Sequence, residues 1–232
     1  MKNYVKLIAV VFILSMASES FALRFGAQAG LNLSNMLRKD DIEGILSDDL
    51  KMNPGFNVGA TVEYPMNETF SIETGLFLLT KGAKNSGEGR DYNPFDDTYT
   101  DYVWDSKLNL WYLDIPITAK AMYAIGGAKI FCVFGPYLGI GLYGKSNSEV
   151  TRGVLTETHE EKIRWGSDWE NDDYLKRLDY GLTFGAGVEI KSIQVGISYG
   201  LGLANISSYT NIGATIQNRV WEISVGYKLG KK

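Results

Sequence analysis

The sequence predicts an all-β fold: an eight-stranded, antiparallel, up-and-down transmembrane β-barrel, or ten strands if segment 145–176 contributes a hairpin around Gly153. Three observations carry this. Along most of the chain apolar residues recur with a period of two, which places them on one face of a strand. The opposite positions are filled by Gly, Ser, Thr and Asn with isolated charges. Short turns alternate with long polar segments, so strands adjacent in sequence pair as antiparallel neighbours. The 26 glycines among 232 residues are spread through these segments, and with only 5 prolines they exclude a collagen-like chain.

Residues 1–22 read as a signal peptide. Lys2 and Lys6 precede the apolar run Leu7 to Met16, and Ser20-Phe21-Ala22 offers a small-x-small site with cleavage after Ala22. A membrane anchor needs about 20 apolar residues, and Ser15 to Ser20 breaks the run far short of that. The expected organisation is therefore a leader over 1–22 and a barrel over 23–232.

The strands follow in order. Phe25, Ala27, Ala29, Leu31 and Leu33 oppose Arg24, Gly26, Gln28, Gly30 and Asn32; Phe56, Val58, Ala60, Val62 and Tyr64 oppose Asn57, Gly59, Thr61 and Glu63. Phe70, Ile72, Leu76 and Leu78 oppose Ser71, Glu73 and Gly75. Strands over 111–123 and 130–142 are less regular, although the second keeps one wholly apolar face from Ile130 to Leu142. The last three, over 179–190, 193–203 and 221–229, alternate cleanly. Short turns fall at 65–68, 125–128 and 191–192, and long polar segments at about 36–53, 82–106, 145–176 and 205–216. Ile42 to Leu50 has the pattern of a short helix.

The chemistry of the two faces decides which one meets lipid. A barrel of eight strands has an interior only just wide enough for side chains, so the glycine-rich face fits inside and the bulky aliphatic face outside. That is the reverse of a soluble barrel. Tyr64, Phe70, Tyr123 and Tyr227 near the short turns, and Trp111, Tyr180 and Trp221 near the long segments, have the placing of interfacial girdles. Outer-membrane barrels carry short periplasmic turns and long outer loops. The expectation is a bacterial outer-membrane location with periplasmic termini and extracellular long loops.

Alternation also selects the lumen residues. Arg24, Lys120 and Lys228 point inward near the short-turn end, with Glu63, Glu73 and Glu189, and six such charges in one narrow layer are expected to pair. Asp114, Asp179 and Glu222 lie higher with no basic partner evident, which suggests an aqueous vestibule. The long segments offer Tyr92, Phe95, Tyr99, Tyr102, Trp104, Trp165 and Trp169 among carboxylates, a composition suited to stacking a sugar or anchoring a partner. They can equally be strand extensions that pack on one another.

Other classes are less well supplied. With Lys+Arg 23 against Asp+Glu 27 there is no cationic surplus for nucleic acid. The single cysteine, Cys132, falls on the lipid face and allows neither an internal disulfide nor a multi-cysteine metal site. His159, in Glu157-Thr158-His159-Glu160-Glu161, is the sole imidazole; no catalytic residue, metal site or cofactor is assigned, and a hydrolase using His159 is the weakest reading.

Several stretches resemble a known group. Ala29-Gly30-Leu31-Asn32-Leu33-Ser34 resembles the opening strand of the outer-membrane β-barrel domain proteins typical of Bacteroidetes, called porin-family or PorT-like. Tyr112-Leu113-Asp114-Ile115-Pro116-Ile117, Gly135-Pro136-Tyr137-Leu138-Gly139, Gly185-Ala186-Gly187-Val188-Glu189 and Asn218-Arg219-Val220 are similar to its later strands. The resemblance spans the mature chain and implies an integral barrel without implying a substrate. Members usually end on an aromatic residue that assists assembly; Leu229 takes that position here. Three roles stay open: a structural or binding barrel acting through its loops, a small porin-like channel, and a PorT-like secretion or assembly component. The expected partners are outer-membrane lipid, the barrel-assembly machinery, and an extracellular ligand or envelope protein.

Overall fold

The structure is a computed structural model in which residues 23–40, 44–45, 50–95, 97–167, 174–210 and 213–229 are described. The leader expected over 1–22 lies outside them. In chain order the strands are β1 (Arg24–Asp40), β2 (Gly44–Ile45), β3 (Leu50–Lys51), β4 (Asn53–Pro65), β5 (Phe70–Asn93), β6 (Thr98–Ile125), β7 (Ala128–Arg152), β8 (Leu155–Lys162), β9 (Leu178–Ile190), β10 (Ile193–Gly202) and β11 (Thr215–Leu229).

Eight of them form the wall, in the order β11-β10-β9-β7-β6-β5-β4-β1, and β1 pairs with β11 to close the ring. Closure runs from Phe25 opposite Leu229 to Lys39 opposite Thr215, so the two ends of the chain complete each other's hydrogen bonding and no wall strand is left as an edge. The hairpin anticipated at Gly153 exists, with φ +59° at that glycine. Its second strand, β8, pairs with β7 alone and stands outside the wall.

The faces sort as their chemistry requires. Leu31, Ile117 and Ile223 point out and are 70%, 56% and 56% exposed, whereas Asn32, Glu63 and Asp179 on the inner face are fully buried. An apolar band of this extent is stable against hydrocarbon and not against water. A one-residue slip in any strand would exchange the two faces, so the lipid band fixes the register.

For segment 82–106 the structure selects the strand extensions, because β5 and β6 continue far beyond the wall and stay in register to Asn93 opposite Thr98. Their alternating composition persists past the apolar belt, and a ladder already formed extends at little entropic cost. The helix anticipated over 42–50 lies partly outside the described residues, and the described ones are the strand residues Gly44–Ile45 and Leu50. Segments 163–177 and 203–214 are not solvated loops. Their described residues, 163–167, 174–177, 203–210 and 213–214, fold back over the long-loop end of the barrel, where Leu175 and Ile206 are buried.

Candidate functional site

The lumen is filled in layers. At the short-turn end β1, β4, β5, β6, β9 and β11 bring Arg24, Glu63, Glu73, Lys120, Glu189 and Lys228 into one network. Glu63 accepts from Lys120 Nζ at 3.1 Å and from Arg24 Nη1 at 3.3 Å. Arg24 Nη2 donates to Glu189 at 2.6 Å, and Gln194 Nε2 donates to the same carboxylate at 2.7 Å. Lys228 Nζ donates to Glu73 at 2.5 Å and to Thr61 Oγ1 at 2.8 Å, and Lys120 also reaches Glu73 at 3.3 Å. Each ion thus has a counter-ion, and Glu189 and Lys228 also hydrogen-bond Gln194 and Thr61, pairing of the kind a buried network needs. All six residues sit where alternation puts them.

Above this layer a cavity of about 110 Å³ is lined by Gln28, Thr118, Gln194, Ser198, Glu222 and Ser224. Glu222 faces it half-buried, with no hydrogen bond or ion pair among the described residues.

The next layer corrects the reading of the upper lumen. Asp114 and Asp179 do have a basic partner, Lys81, whose Nζ lies 2.8 Å from Asp114 Oδ2 and 2.8 Å from Asp179 Oδ2. The ammonium group is held between the rings of Tyr112 and Tyr137, 4.6 and 4.5 Å from their centroids, a geometry favourable to a desolvated cation. Tyr137 Oη donates to Asp179 at 3.3 Å and Asn218 Nδ2 donates to it at 2.9 Å. An ion-paired knot therefore takes up Asp114 and Asp179, while Glu222 is left facing the cavity. Lys81 follows Glu73, Gly75, Phe77 and Leu79 on the same parity of β5; continuing the alternation past the apolar belt would have found it. At Gly139, opposite Asp114, a β-carbon would overlap the Asp114 carboxylate, so glycine here makes room for the knot.

Nor is the inner face uniformly small and polar. Met36, Leu79, Leu110, Tyr112, Leu175 and Ile206 form an apolar cluster at the long-loop end, with Ile163, Trp165 and Tyr174 packed against it. Trp165 crosses edge to face with Tyr112, centroids 5.8 Å apart. It is part of this plug and not a loop-borne binding residue, because Ile163, Trp165, Tyr174 and Leu175 turn inward to cover apolar inner-face side chains. Trp169 lies outside the described residues.

Outside the wall β5, β6, β7 and β8 continue as a four-stranded sheet. At its tip Phe95 is 96% exposed and Tyr92 packs on Tyr99 with centroids 5.1 Å apart. Lower down, Tyr102 lies under the Arg152 guanidinium at 5.5 Å, and Trp104 packs over Gly87. Arg90 Nε donates to Asp101 at 2.5 Å and holds that carboxyl below its usual range by hydrogen bonding and charge. The aromatic candidates other than Trp165 and Trp169 are therefore gathered on one hairpin. His159 stands on β8 opposite Ser148 and is exposed.

No curated protein matches the sequence. Among solved structures, the chain is similar to the attachment invasion locus protein Ail of Yersinia pestis at 12% identity, covering 89% of this chain and 98% of that one, with a TM-score of 0.33. It is similar to Neisserial surface protein A at 14% identity, covering 88% and 96%, TM-score 0.33. A third similarity, to the outer membrane protease OmpT of Escherichia coli, has 9% identity, covers 92% and 99%, and has a TM-score of 0.32. The sequence model described as outer membrane protein beta-barrel domain matches residues 17–208, well over half of the chain, and the chain belongs to that family of outer-membrane barrels.

Proposed function

We propose that this protein is a closed barrel that anchors a projecting β-sheet in the outer membrane and binds a partner through it, and that it is not a channel. The observation that carries the reading is the triple closure of the lumen: the six-residue ion network, the Lys81 knot, and the apolar plug around Leu110 and Ile206. Each closure fills the narrow interior of an eight-stranded wall. What the fold leaves accessible is the hairpin tip with Tyr92, Phe95 and Tyr99, large side chains of the kind that anchor interfaces. In this reading the long-loop end faces outward from the cell and both termini face the periplasm.

Two measurements test it. The refolded chain in a planar bilayer is expected to give no steady current; reproducible conductance steps would overturn the closed-barrel reading. Protease added to intact cells is expected to cut at the 94–97 turn, and protection of that turn would overturn the orientation.

A further inference from the structure

Five lysines share the outward face of the projecting sheet, just beyond the membrane wall. Lys51 stands opposite Lys84, and Lys84 opposite Lys107. One step nearer the wall, Lys145 stands opposite Lys162. Their side of the sheet is fixed by their neighbours: Ala83 and Leu108 face the plug, so Lys84 and Lys107 face away from it.

The height is fixed as well. Trp111 and Tyr143 pair directly at the top of the outward apolar face. Lys145 lies two residues beyond Tyr143, and Lys107 four residues beyond Trp111, or about 7 and 13 Å along strands that rise about 3.3 Å per residue. This is headgroup depth above an aromatic belt.

Like charges directly opposite one another on adjacent strands repel, and here Lys51, Lys84 and Lys107 form one such row and Lys145 with Lys162 a second, offset by one step because Lys107 stands opposite Asn147 and Lys145 opposite Asn109. Lys145 is paired with Glu160 at 2.5 Å, and Lys51 donates to Ser86 Oγ at 2.6 Å. Asp105 and Glu149 lie in the next row outward. Lys84, Lys107 and Lys162 have no ion pair or hydrogen bond among the described residues. An arrangement of this kind is stable when counter-charge sits between the ammonium groups.

We propose that this stripe binds the phosphate of a lipid headgroup in the leaflet at the long-loop end. A membrane lipid fits better than a free anion because the apolar wall directly below the aromatic pair seats acyl chains, and lysine stems reach down along such a surface. The choice of leaflet rests on the orientation proposed above, whereas the binding itself does not.

Native mass spectrometry of the refolded barrel in neutral micelles tests the binding, with phosphatidic acid, diacylglycerol of the same acyl chains, and inorganic phosphate as probes. Phosphatidic acid adducts are expected to fall by about tenfold or more in Lys84→Gln/Lys107→Gln/Lys145→Gln/Lys162→Gln. Diacylglycerol is expected to bind weakly to both forms, and inorganic phosphate to displace nothing. Should the fourfold variant not refold, Lys107→Gln/Lys162→Gln is read in the same way, with Lys129→Gln/Lys191→Gln at the opposite end as a control that keeps its adducts. Equal phosphatidic acid adducts in native and lysine variants would overturn the proposal. So would retention of diacylglycerol as strong as that of phosphatidic acid, or displacement by inorganic phosphate. Protection of the 94–97 turn in intact cells would move the lipid to the other leaflet and leave the micelle result unchanged, so the two failures are distinguishable.

Discussion

Lys81 is 2% exposed, with one ammonium group shared by two carboxylates and two aromatic rings. Such a residue cannot be removed singly without stranding its partners. Lys81→Met leaves Asp114 and Asp179 facing each other unneutralised and is expected to cost about 3 kcal/mol or more, because breaking a buried pair leaves an uncompensated charge. Urea unfolding in micelles measures this. Adding Asp114→Asn and Asp179→Asn to Lys81→Met should recover most of the loss; a single variant as stable as the native chain would show that the knot holds nothing together. The alternation of β5 contained Lys81 all along. Its partners were not legible, since which carboxylates face it across the lumen depends on the stagger of the closed ring.

At the scale of elements, β5 and β6 each serve two surroundings. Their inner halves lie in the membrane wall and their outer halves form the projecting sheet, held by cross-strand pairs such as Tyr92 with Tyr99 and Arg90 with Asp101. Three or more strands are needed for a sheet to be stable by itself, and β7 with β8 supplies them. The sheet contributes nothing to ring closure, which is made by β1 and β11. Replacing residues 88–101 by a short turn is therefore expected to leave heat-modifiable migration of the barrel unchanged while removing the aromatic tip; loss of folding would show that the hairpin is needed for assembly. Composition left 82–106 open between loop and strand extension because charged and aromatic residues suit an exposed strand as well as a loop. The pairing partner on the neighbouring strand decides between them.

For the molecule as a whole, the closures act in series. Charge layer, knot and apolar plug lie at successive heights in one narrow lumen, so opening one leaves the others in place. Glu63→Gln/Lys120→Met is accordingly expected to stay silent in a planar bilayer although it destabilises the short-turn layer. Steady current from this variant would mean that the knot and the plug do not block the lumen. The cavity between the layers gives space for water.

By itself the sequence determined most of the wall: its eight long strand segments, the face each turns to lipid, and the six charges of the lower layer, while whether the Gly153 hairpin joins the ring was left to the strand pairing. These follow from a period of two and from the cost of placing charge in hydrocarbon, both of which are local. Only the tertiary structure decided that Lys81 answers Asp114 and Asp179, that Trp165 belongs to a plug, and that Lys84, Lys107, Lys145 and Lys162 stand together. Those groupings join residues far apart in the chain. They are set by ring stagger, by segments folding back over the mouth, and by cross-strand register, and none of these leaves a mark on the local order of amino acids.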